Sequence, residues 1–230
     1  MVDTLLESGF HLPAPGLILW VALYQHSETT LLQRLKAETR PHHERAERTV
    51  RLMDPGLTLE HYRHHLEALY GFYGPLEALL DSILTGLLPE LRAAERWKLP
   101  LLAKDLGALG HDAASLAQLP RATSLPQLTG APEALGCFYV MEGATLGGQL
   151  ILRHLQRHFA GIPAGDFAFF RAYGEDVGPM WRAFGQAVTH ASSEAASEDF
   201  DARVIQGAKD TFDAFERWLR HEAAEFTAYP

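Results

Sequence analysis

The chain is poor in cysteine and in positive charge. Cys137 is the only cysteine among 230 residues, which excludes an intramolecular disulfide framework and agrees with a reducing compartment. Lys and Arg total 20 against 29 Asp and Glu, so the formal net charge is −9. Because nucleic acids and membrane surfaces are anionic, this charge disfavours both as main partners. We therefore expect no nucleic-acid partner.

Long apolar runs are also lacking. The run nearest the N-terminus, GLILWVAL at residues 16–23, is far shorter than the roughly 20 apolar residues that span a bilayer. No Lys or Arg precedes Arg34, so the basic start of a signal peptide is missing. We expect no membrane insertion and a cytoplasmic location. We interpret residues 1–26 as a loosely attached N-terminal extension and residues 27–230 as one domain.

Patterns of half-buried strands are missing beyond residue 27, because apolar and polar residues do not alternate convincingly there. Apolar residues recur instead at helical spacing, as in Leu31 and Leu35. Proline interrupts this pattern twice. We expect Pro41 to kink or restart the first helix and Pro75 to end or bend the second, because proline removes a helical hydrogen bond.

Three further segments have helical periodicity, residues 91–107, 133–159 and 200–227. With 47% hydrophobic residues, the chain can bury a sizeable core. The sequence contains no internal repeat, no low-complexity tract and no linker that would separate domains. It therefore predicts a single all-α domain of roughly seven to nine helices.

Glycines are concentrated in one apolar, helix-like stretch, FYVMEGATLGGQ at residues 138–149. Each glycine costs roughly 1 kcal/mol relative to alanine in a helix interior, so the helix needs a reason to contain them. At about 100° per residue, Gly136, Gly143 and Gly147 project within about 40° of one another. Such a bare stripe suits close helix packing or a flat ligand against the backbone. The adjacent Gly147 and Gly148 favour the ligand, since they also let the helix bend.

A histidine pair stands in the stretch ETRPHHERAE at residues 38–47. His43 and Glu47 are four residues apart, so the carboxylate can reach the imidazole, an arrangement that orients metal-ligating histidines. An ordinary surface pair has the same spacing. His42 competes with His43, but Ala46, four residues after His42, offers it no such support.

Two other histidine pairs have the spacing of metal ligands on one helix face, His61 with His65 and His154 with His158. No carboxylate stands at a matching spacing, and arginines are close by in the sequence. We therefore expect these histidines to lie on exposed polar faces rather than in a metal site.

Together, LKAETRPHHERAE and FYVMEGATLGGQ resemble the haem oxygenase family, particularly the bacterial enzymes that supply biliverdin to phytochromes. The stretch RVIQGAKDTFDAF at residues 203–215 is similar to the closing helix of that family. The resemblance covers residues 27–225. It implies a single-domain helical bundle with haem between a proximal helix and a kinked, glycine-rich distal helix.

The resemblance also implies a role for individual residues. His43 would be the proximal ligand of the haem iron, and Glu47 would hydrogen-bond to it. The basic residues Lys36, Arg40 and Arg182 would face the haem propionates. Phe212 would line the pocket, and the distal helix would contribute Gly143, Ala144 and Gly147 as its catalytic face with Gly148 beside them.

Ala144 departs from the family pattern. Many family members carry an aspartate directly after the first distal glycine, where it organises the water that protonates iron-bound dioxygen. Here oxygen activation would depend on backbone groups near Gly143 and on water held by other side chains. Glu142 and Thr145 project in other directions on the helical wheel, so we assign this role to neither.

The implied reaction is the oxidative cleavage of haem b, both cofactor and substrate, by O2 to biliverdin, CO and ferrous iron. Electrons would come from an external reductase or ferredoxin, and a bacteriophytochrome is a candidate recipient of biliverdin. One alternative is a haem-binding carrier or sensor without turnover, motivated by Ala144. Another is a di-iron oxidase or thiamin-degrading relative of the same fold, the latter dependent on Cys137.

Overall fold

The computed structural model describes residues 30–84, 91–162 and 164–228. Residues Leu31–Pro230 form one compact unit, and the predicted extension at residues 1–26 lies outside the described residues. The described parts contain no β-strand and two short 3-10 turns, Ala93–Arg96 and Gly174–Asp176. They contain eight α-helices: α1 (Leu31–Thr49), α2 (Leu59–Leu84), α3 (Leu99–Ala108), α4 (Ala113–Gln118), α5 (Ala131–His158), α6 (Ala168–Arg171), α7 (Val177–Ala195) and α8 (Glu198–Ala228).

Pro41 and Pro75 both lie within continuous helices, so neither proline ends or restarts a helix, and the kink or bend that we expected as the other outcome stays a prediction. In α1, Pro41 and Ala37 are exposed, so water can reach the carbonyl that lacks a helical partner. In α2, Pro75 deprives the Gly71 carbonyl of its partner, and that carbonyl accepts the N–H of Ala122 at 3.0 Å instead. Solvent and a distant loop thus replace the bonds that the prolines remove.

The segment that we predicted as one helix over residues 91–107 is divided in two. Trp97 takes an extended conformation between the 3-10 turn and α3, and Pro100 lies in the first turn of α3, where proline is tolerated. The break frees two backbone N–H groups. Those of Lys98 and Leu99 donate to the carboxylate of Glu77 at 2.5 and 3.1 Å.

Helices α5 and α8 cross with their backbones in contact. A Cβ atom on Gly136 would lie 1.9 Å from the carbonyl oxygen of Val204, and one on Gly207 would lie 2.4 Å from that of Glu133. No side chain fits in either place. Part of the glycine stripe on α5 therefore serves helix packing, and the buried Phe138 and Leu135 beside the crossing belong to the core.

Helix α1 lies alongside α8 and runs in the same direction. Their ion pairs ascend both helices together, from Arg34 with Glu198 at 2.7 Å to Arg45 with Glu216 at 3.2 Å. Helix α8 thus supports both α1 and α5, which share few contacts with each other. This leaves room between α1 and α5 above their common support.

Among the described helices, α5 is the one long and apolar enough to cross a membrane by length and composition. Half of its most apolar window is buried within the protein. The core helix of a globular fold meets the same criteria, and the crossing with α8 gives α5 that position here.

Candidate functional site

His43 lies on the outward face of α1 with 53% of its side chain exposed. Its Nε2 atom is 3.5 Å from Glu47 Oε1, which brings the carboxylate near without a tight hydrogen bond. Its ring meets the buried Phe212 of α8 edge-on, with the ring centroids 5.5 Å apart. The imidazole is thus supported by a carboxylate and an aromatic ring while remaining open to a ligand.

The neighbouring His42 is half-buried and engaged with α8. Its Nδ1 atom lies 2.7 Å from Asp213 Oδ1, and the Arg45 guanidinium donates to the same oxygen at 2.6 Å. His42 therefore helps to fasten α1 to α8. Of the two adjacent histidines, this leaves His43 as the available imidazole.

The three predicted propionate-binding cations are all exposed. Arg40 donates from Nε to Glu44 at 2.7 Å, but both side chains are exposed and solvent screens the pair, so Arg40 can change partner. Among the described residues, Lys36 and Arg182 have no ion-pair partner. Lys36 stands seven residues before His43, two helical turns away on the same face of α1.

Helices α1 and α5 meet at Thr39 and Tyr139. Burial raises the pKa of the Tyr139 hydroxyl, and its side-chain hydrogen bond with Thr39 partly offsets that rise. Four residues later, one turn along, α1 reaches His43 and α5 reaches Gly143. We define the candidate cleft as the space between α1 and α5 beyond the Thr39–Tyr139 contact.

The glycines of α5 divide into two groups by their surroundings. A Cβ atom on Gly148 would lie 3.3 Å from the carbonyl oxygen of Phe170, so this buried glycine packs against α6, as Gly136 packs against α8. Apart from the backbone of α5 itself, the atoms nearest a Cβ on Gly143 would belong to the Trp181 ring, 3.9 Å away, and a Cβ on Gly147 would have none within 4 Å. Gly143 and Gly147 are thus the open part of the stripe, and Ala144 beside them is exposed.

Large apolar side chains flank this open face, and we did not anticipate them from the sequence. Leu146 and Leu150 are 43% and 55% exposed, high values for leucine on a long core helix. They follow Gly143 by three and seven residues, so helical projection could have placed them beside it. The indole of Trp181, with its ring centroid 5.7 Å from that of Tyr139, adds an aromatic wall from α7 that no sequence pattern indicates.

Glu142 and Thr145 do not serve the open face. The Glu142 carboxylate is 1% exposed and accepts hydrogen bonds from Lys98 Nζ at 3.1 Å and the Tyr173 hydroxyl at 2.6 Å. The buried Thr145 hydroxyl donates to the Glu142 carbonyl at 2.7 Å. Neither group therefore supplies an acid to the open face beside Ala144.

The non-haem alternatives find no support in the described residues. Cys137 is fully buried, and burial raises the pKa of its thiol to about 12, so it is no thiolate nucleophile. Across residues 30–84, 91–162 and 164–228, no three His, Cys, Asp or Glu side chains gather as metal ligands. A di-iron centre requires such a cluster.

The paired histidines outside the cleft are less exposed than expected. His65, His154 and His158 are half-buried, and His61 alone is exposed. Burial lowers the pKa of His65 to about 4, and His158 Nε2 lies 2.6 Å from the Leu57 carbonyl oxygen. These imidazoles belong to the packing of α2 and α5, which the helical spacing alone did not show.

A family model described as haem oxygenase matches residues 29–221, a span that holds the whole cleft. The chain belongs to the haem oxygenase family. It is similar to a haem oxygenase of Xanthomonas campestris pv. campestris (strain 8004), with 32% identity over 161 residues, 70% of this chain and 87% of that protein. It is therefore an enzyme that acts on haem, and the general reaction of the family is haem cleavage to biliverdin.

Solved haem oxygenase structures share the fold. The enzyme from Neisseria meningitidis, solved with NO and CO bound, superimposes with a TM-score of 0.67 at 21% identity, over 86% of this chain and 94% of that one. The enzyme from Leptospira interrogans gives a TM-score of 0.64 at 18% identity, over 84% and 99%. At such identities the similarity shows the helical fold alone.

Proposed function

We propose that the cleft between α1 and α5 binds haem b through His43, and that the enzyme cleaves it with O2 to biliverdin, CO and ferrous iron. The observation that carries the proposal is the bare backbone at Gly143 and Gly147, flanked by the exposed Leu146 and Leu150. Exposed leucines beside glycines with open space above them suit a large, flat, apolar ligand.

The residues of the cleft fit the three chemical demands of haem. The porphyrin plane needs apolar walls, which Leu146, Leu150 and Trp181 supply. The iron needs a nitrogen ligand, which His43 would supply, exposed as it is beside a carboxylate. The propionates need cations, and Lys36, Arg40 and Arg182 are the exposed candidates in a protein of net charge −9.

His43 and Glu47 would act as a pair. If one ring nitrogen of His43 held the iron, the other would donate to Glu47, which would fix the tautomer and raise the basicity of the imidazole. The present 3.5 Å separation between Nε2 and Oε1 shortens readily because both side chains are exposed. The edge of Phe212 restricts the imidazole plane.

Bound haem supplies the iron that activates O2 and the porphyrin edge that is oxidised. The contribution of Gly143 and Gly147 is close approach, because a side chain there would hold the distal backbone away from the reacting centre. Ala144 brings no proton donor, so the proton must come through water held by backbone groups near Gly143. Lys36, Arg40 and Arg182 would set the rotation of the ligand in its plane, and hence which porphyrin edge is attacked.

The electrons would come from a separate reductase or ferredoxin, since the sequence has no flavin or nicotinamide fingerprint. We further propose a cytoplasmic enzyme that supplies biliverdin, with a bacteriophytochrome as recipient. Support for this part comes from the two stretches that resemble the phytochrome-associated bacterial enzymes.

Turnover of haem tests the proposal. The protein is loaded with haem and supplied with a reductant and O2, the Soret band is followed, and the product isomer is identified. We expect the Soret band to disappear while biliverdin absorbance grows. A stable oxygen complex in which the porphyrin ring is never cleaved would overturn the enzymatic proposal and favour the carrier or sensor that Ala144 suggests.

A further inference from the structure

A buried cluster of charged groups lies behind the distal wall. At its centre is Glu142, the residue immediately before Gly143. One carboxylate oxygen accepts hydrogen bonds from Lys98 Nζ and the Tyr173 hydroxyl, and the other is paired with Arg96. Both oxygens therefore have partners, and the carboxylate is held away from the open face of α5.

Arg96 connects this cluster to a second wall of the cleft. Its Nη1 atom pairs with Glu142 and also donates to the Met180 carbonyl at 3.2 Å, while its Nε donates to the Leu91 carbonyl at 2.7 Å. Met180 precedes Trp181, and the Trp181 ring is the nearest group to Gly143. The Arg96 guanidinium thus binds both Glu142 and Met180, the residues immediately before Gly143 and Trp181.

Burial of this cluster costs desolvation free energy. Arg96, Lys98 and Glu142 are each no more than 3% exposed, and burial lowers the pKa of the Lys98 ammonium. Lys98 Nζ is satisfied by the Arg96 carbonyl and the Tyr173 hydroxyl, each at 2.5 Å. Because well-packed apolar residues usually stabilise a core at least as well as buried ions, stability alone does not account for the cluster. A fixed geometry is what the fork of Arg96 adds.

We propose that Arg96 and Glu142 are positioning residues for the distal wall of the cleft. They fix the rotation of α5 and the approach of α7, so that Gly143 and Trp181 hold one relative geometry. The inference rests on the proposed function only in taking this wall to be the one that faces haem. Neither residue touches the open face, so they act through Gly143 and Trp181.

The variants that test this inference disturb the cluster with small changes in side-chain size. Glu142→Gln removes the charge, Arg96→Lys removes the fork, and Tyr173→Phe removes one hydrogen bond while keeping both ions. Glu133→Gln is the matched control. Glu133 is a buried glutamate of the same helix, paired with Arg203 at 2.6 Å, and lies ten residues before Gly143.

The first measurement is amide hydrogen exchange in the haem-free protein. We expect Glu142→Gln and Arg96→Lys to raise amide exchange at residues 139–150 and 178–184 by about tenfold relative to Glu133→Gln. The reason is that the free energy of local opening falls once the Arg96–Glu142 pair is disturbed. Tyr173→Phe should give a smaller change in the same segments and is informative if a charge variant does not fold. Unchanged protection there, with a loss of global stability equal to that of the control, would overturn the inference.

The second measurement uses the haem-loaded protein. We expect Glu142→Gln and Arg96→Lys to shift the ferric haem spectrum and to broaden the distribution of biliverdin isomers, and Glu133→Gln to match the parent in both. A spectrum and isomer distribution identical to the parent, despite raised exchange, would overturn the link to the cleft. If the parent protein does not cleave haem, the proposed function fails, while hydrogen exchange still tests the positioning role of Arg96 and Glu142.

Discussion

Trp181 of α7 covers Gly143 of α5 at ordinary contact distance, with its two nearest ring atoms 3.9 and 4.0 Å from the place a Cβ would take on the glycine. One turn earlier on α5, Tyr139 is packed against the same indole. One turn later, a Cβ on Gly147 would meet no atom within 4 Å outside the backbone of α5 itself. The glycine face thus opens from an aromatic contact outward, and protein packing does not account for Gly147.

We expect Gly147→Ala to stabilise the haem-free protein by about 0.5–1 kcal/mol, because alanine is the better helix former and the added methyl meets nothing. The same methyl should weaken haem binding and slow turnover by keeping the distal backbone away. Denaturant unfolding gives the first quantity, and haem titration with single-turnover absorbance gives the others.

Gly136→Ala is the control from the same stripe. Its methyl would lie 1.9 Å from the Val204 carbonyl oxygen, so the crossing of α5 and α8 must separate and the protein should lose several kcal/mol or not fold. Equal destabilisation by Gly147→Ala and Gly136→Ala would show that both glycines serve packing.

We expect His43→Ala to abolish the ferric haem spectrum of a histidine-ligated iron and added imidazole to restore it. Because His43 is 53% exposed, the substitution should change the free energy of unfolding by less than about 0.5 kcal/mol. Absorbance spectra with and without imidazole, together with denaturant unfolding, measure both effects.

His42→Ala is the neighbouring comparison. It should keep the haem spectrum and cost about 1 kcal/mol of stability, since it removes a partner 2.7 Å from the Asp213 carboxylate on α8. Retention of the spectrum in His43→Ala and its loss in His42→Ala would exchange the two assignments.

Lys36→Gln and Arg182→Gln should each weaken haem binding by about three- to tenfold at low salt, as expected for the loss of an exposed charge-assisted contact. The deficit should shrink as ionic strength rises, because salt screens the same contact in the parent. Lys104→Gln is the control. This exposed lysine lies on α3, outside the cleft, and is paired with Asp166 at 3.1 Å. Haem titrations at two salt concentrations measure the effect. An equal loss of haem affinity in Lys104→Gln would show that the net charge of the protein, and not these two residues, is responsible.

Glu77 gives the protein a specific pH dependence. Burial raises the pKa of its carboxyl from 4.5 to about 7, despite the N–H groups of Lys98 and Leu99. The folded state therefore binds this proton more tightly than the unfolded state, so the contribution to stability is present below pH 4.5 and is lost as the pH rises through about 7.

We expect Glu77→Gln to remove this loss. Relative to the variant, the parent should lose up to about 3 kcal/mol of unfolding free energy between pH 5 and pH 8, from 1.36 kcal/mol per pKa unit. Glutamine also accepts fewer backbone hydrogen bonds, but that difference is independent of pH and shifts only the whole curve. Urea unfolding at several pH values checks the slope, and parallel curves for parent and variant would contradict the expectation.

The sequence by itself determined the all-α class and the candidate His43–Glu47 pair. Both follow from the 3.6-residue period of the helix, which relates positions a few residues apart. It also indicated that α5 needs its glycines. The same local rules could not decide whether Pro41 and Pro75 interrupt their helices or only bend them, because the partners that replace the lost hydrogen bonds are solvent and, at 3.0 Å, the distant Ala122.

Only the tertiary structure decided which glycine serves which purpose. The backbones of Val204 and Phe170 occupy the space that side chains at Gly136 and Gly148 would need, whereas the space beside Gly147 stays open. It also decided that His42 is bound to Asp213, 171 residues away, and left His43 available. The physical reason is the same in each case: helix packing brings together groups that are far apart in the chain, and no local periodicity contains that information.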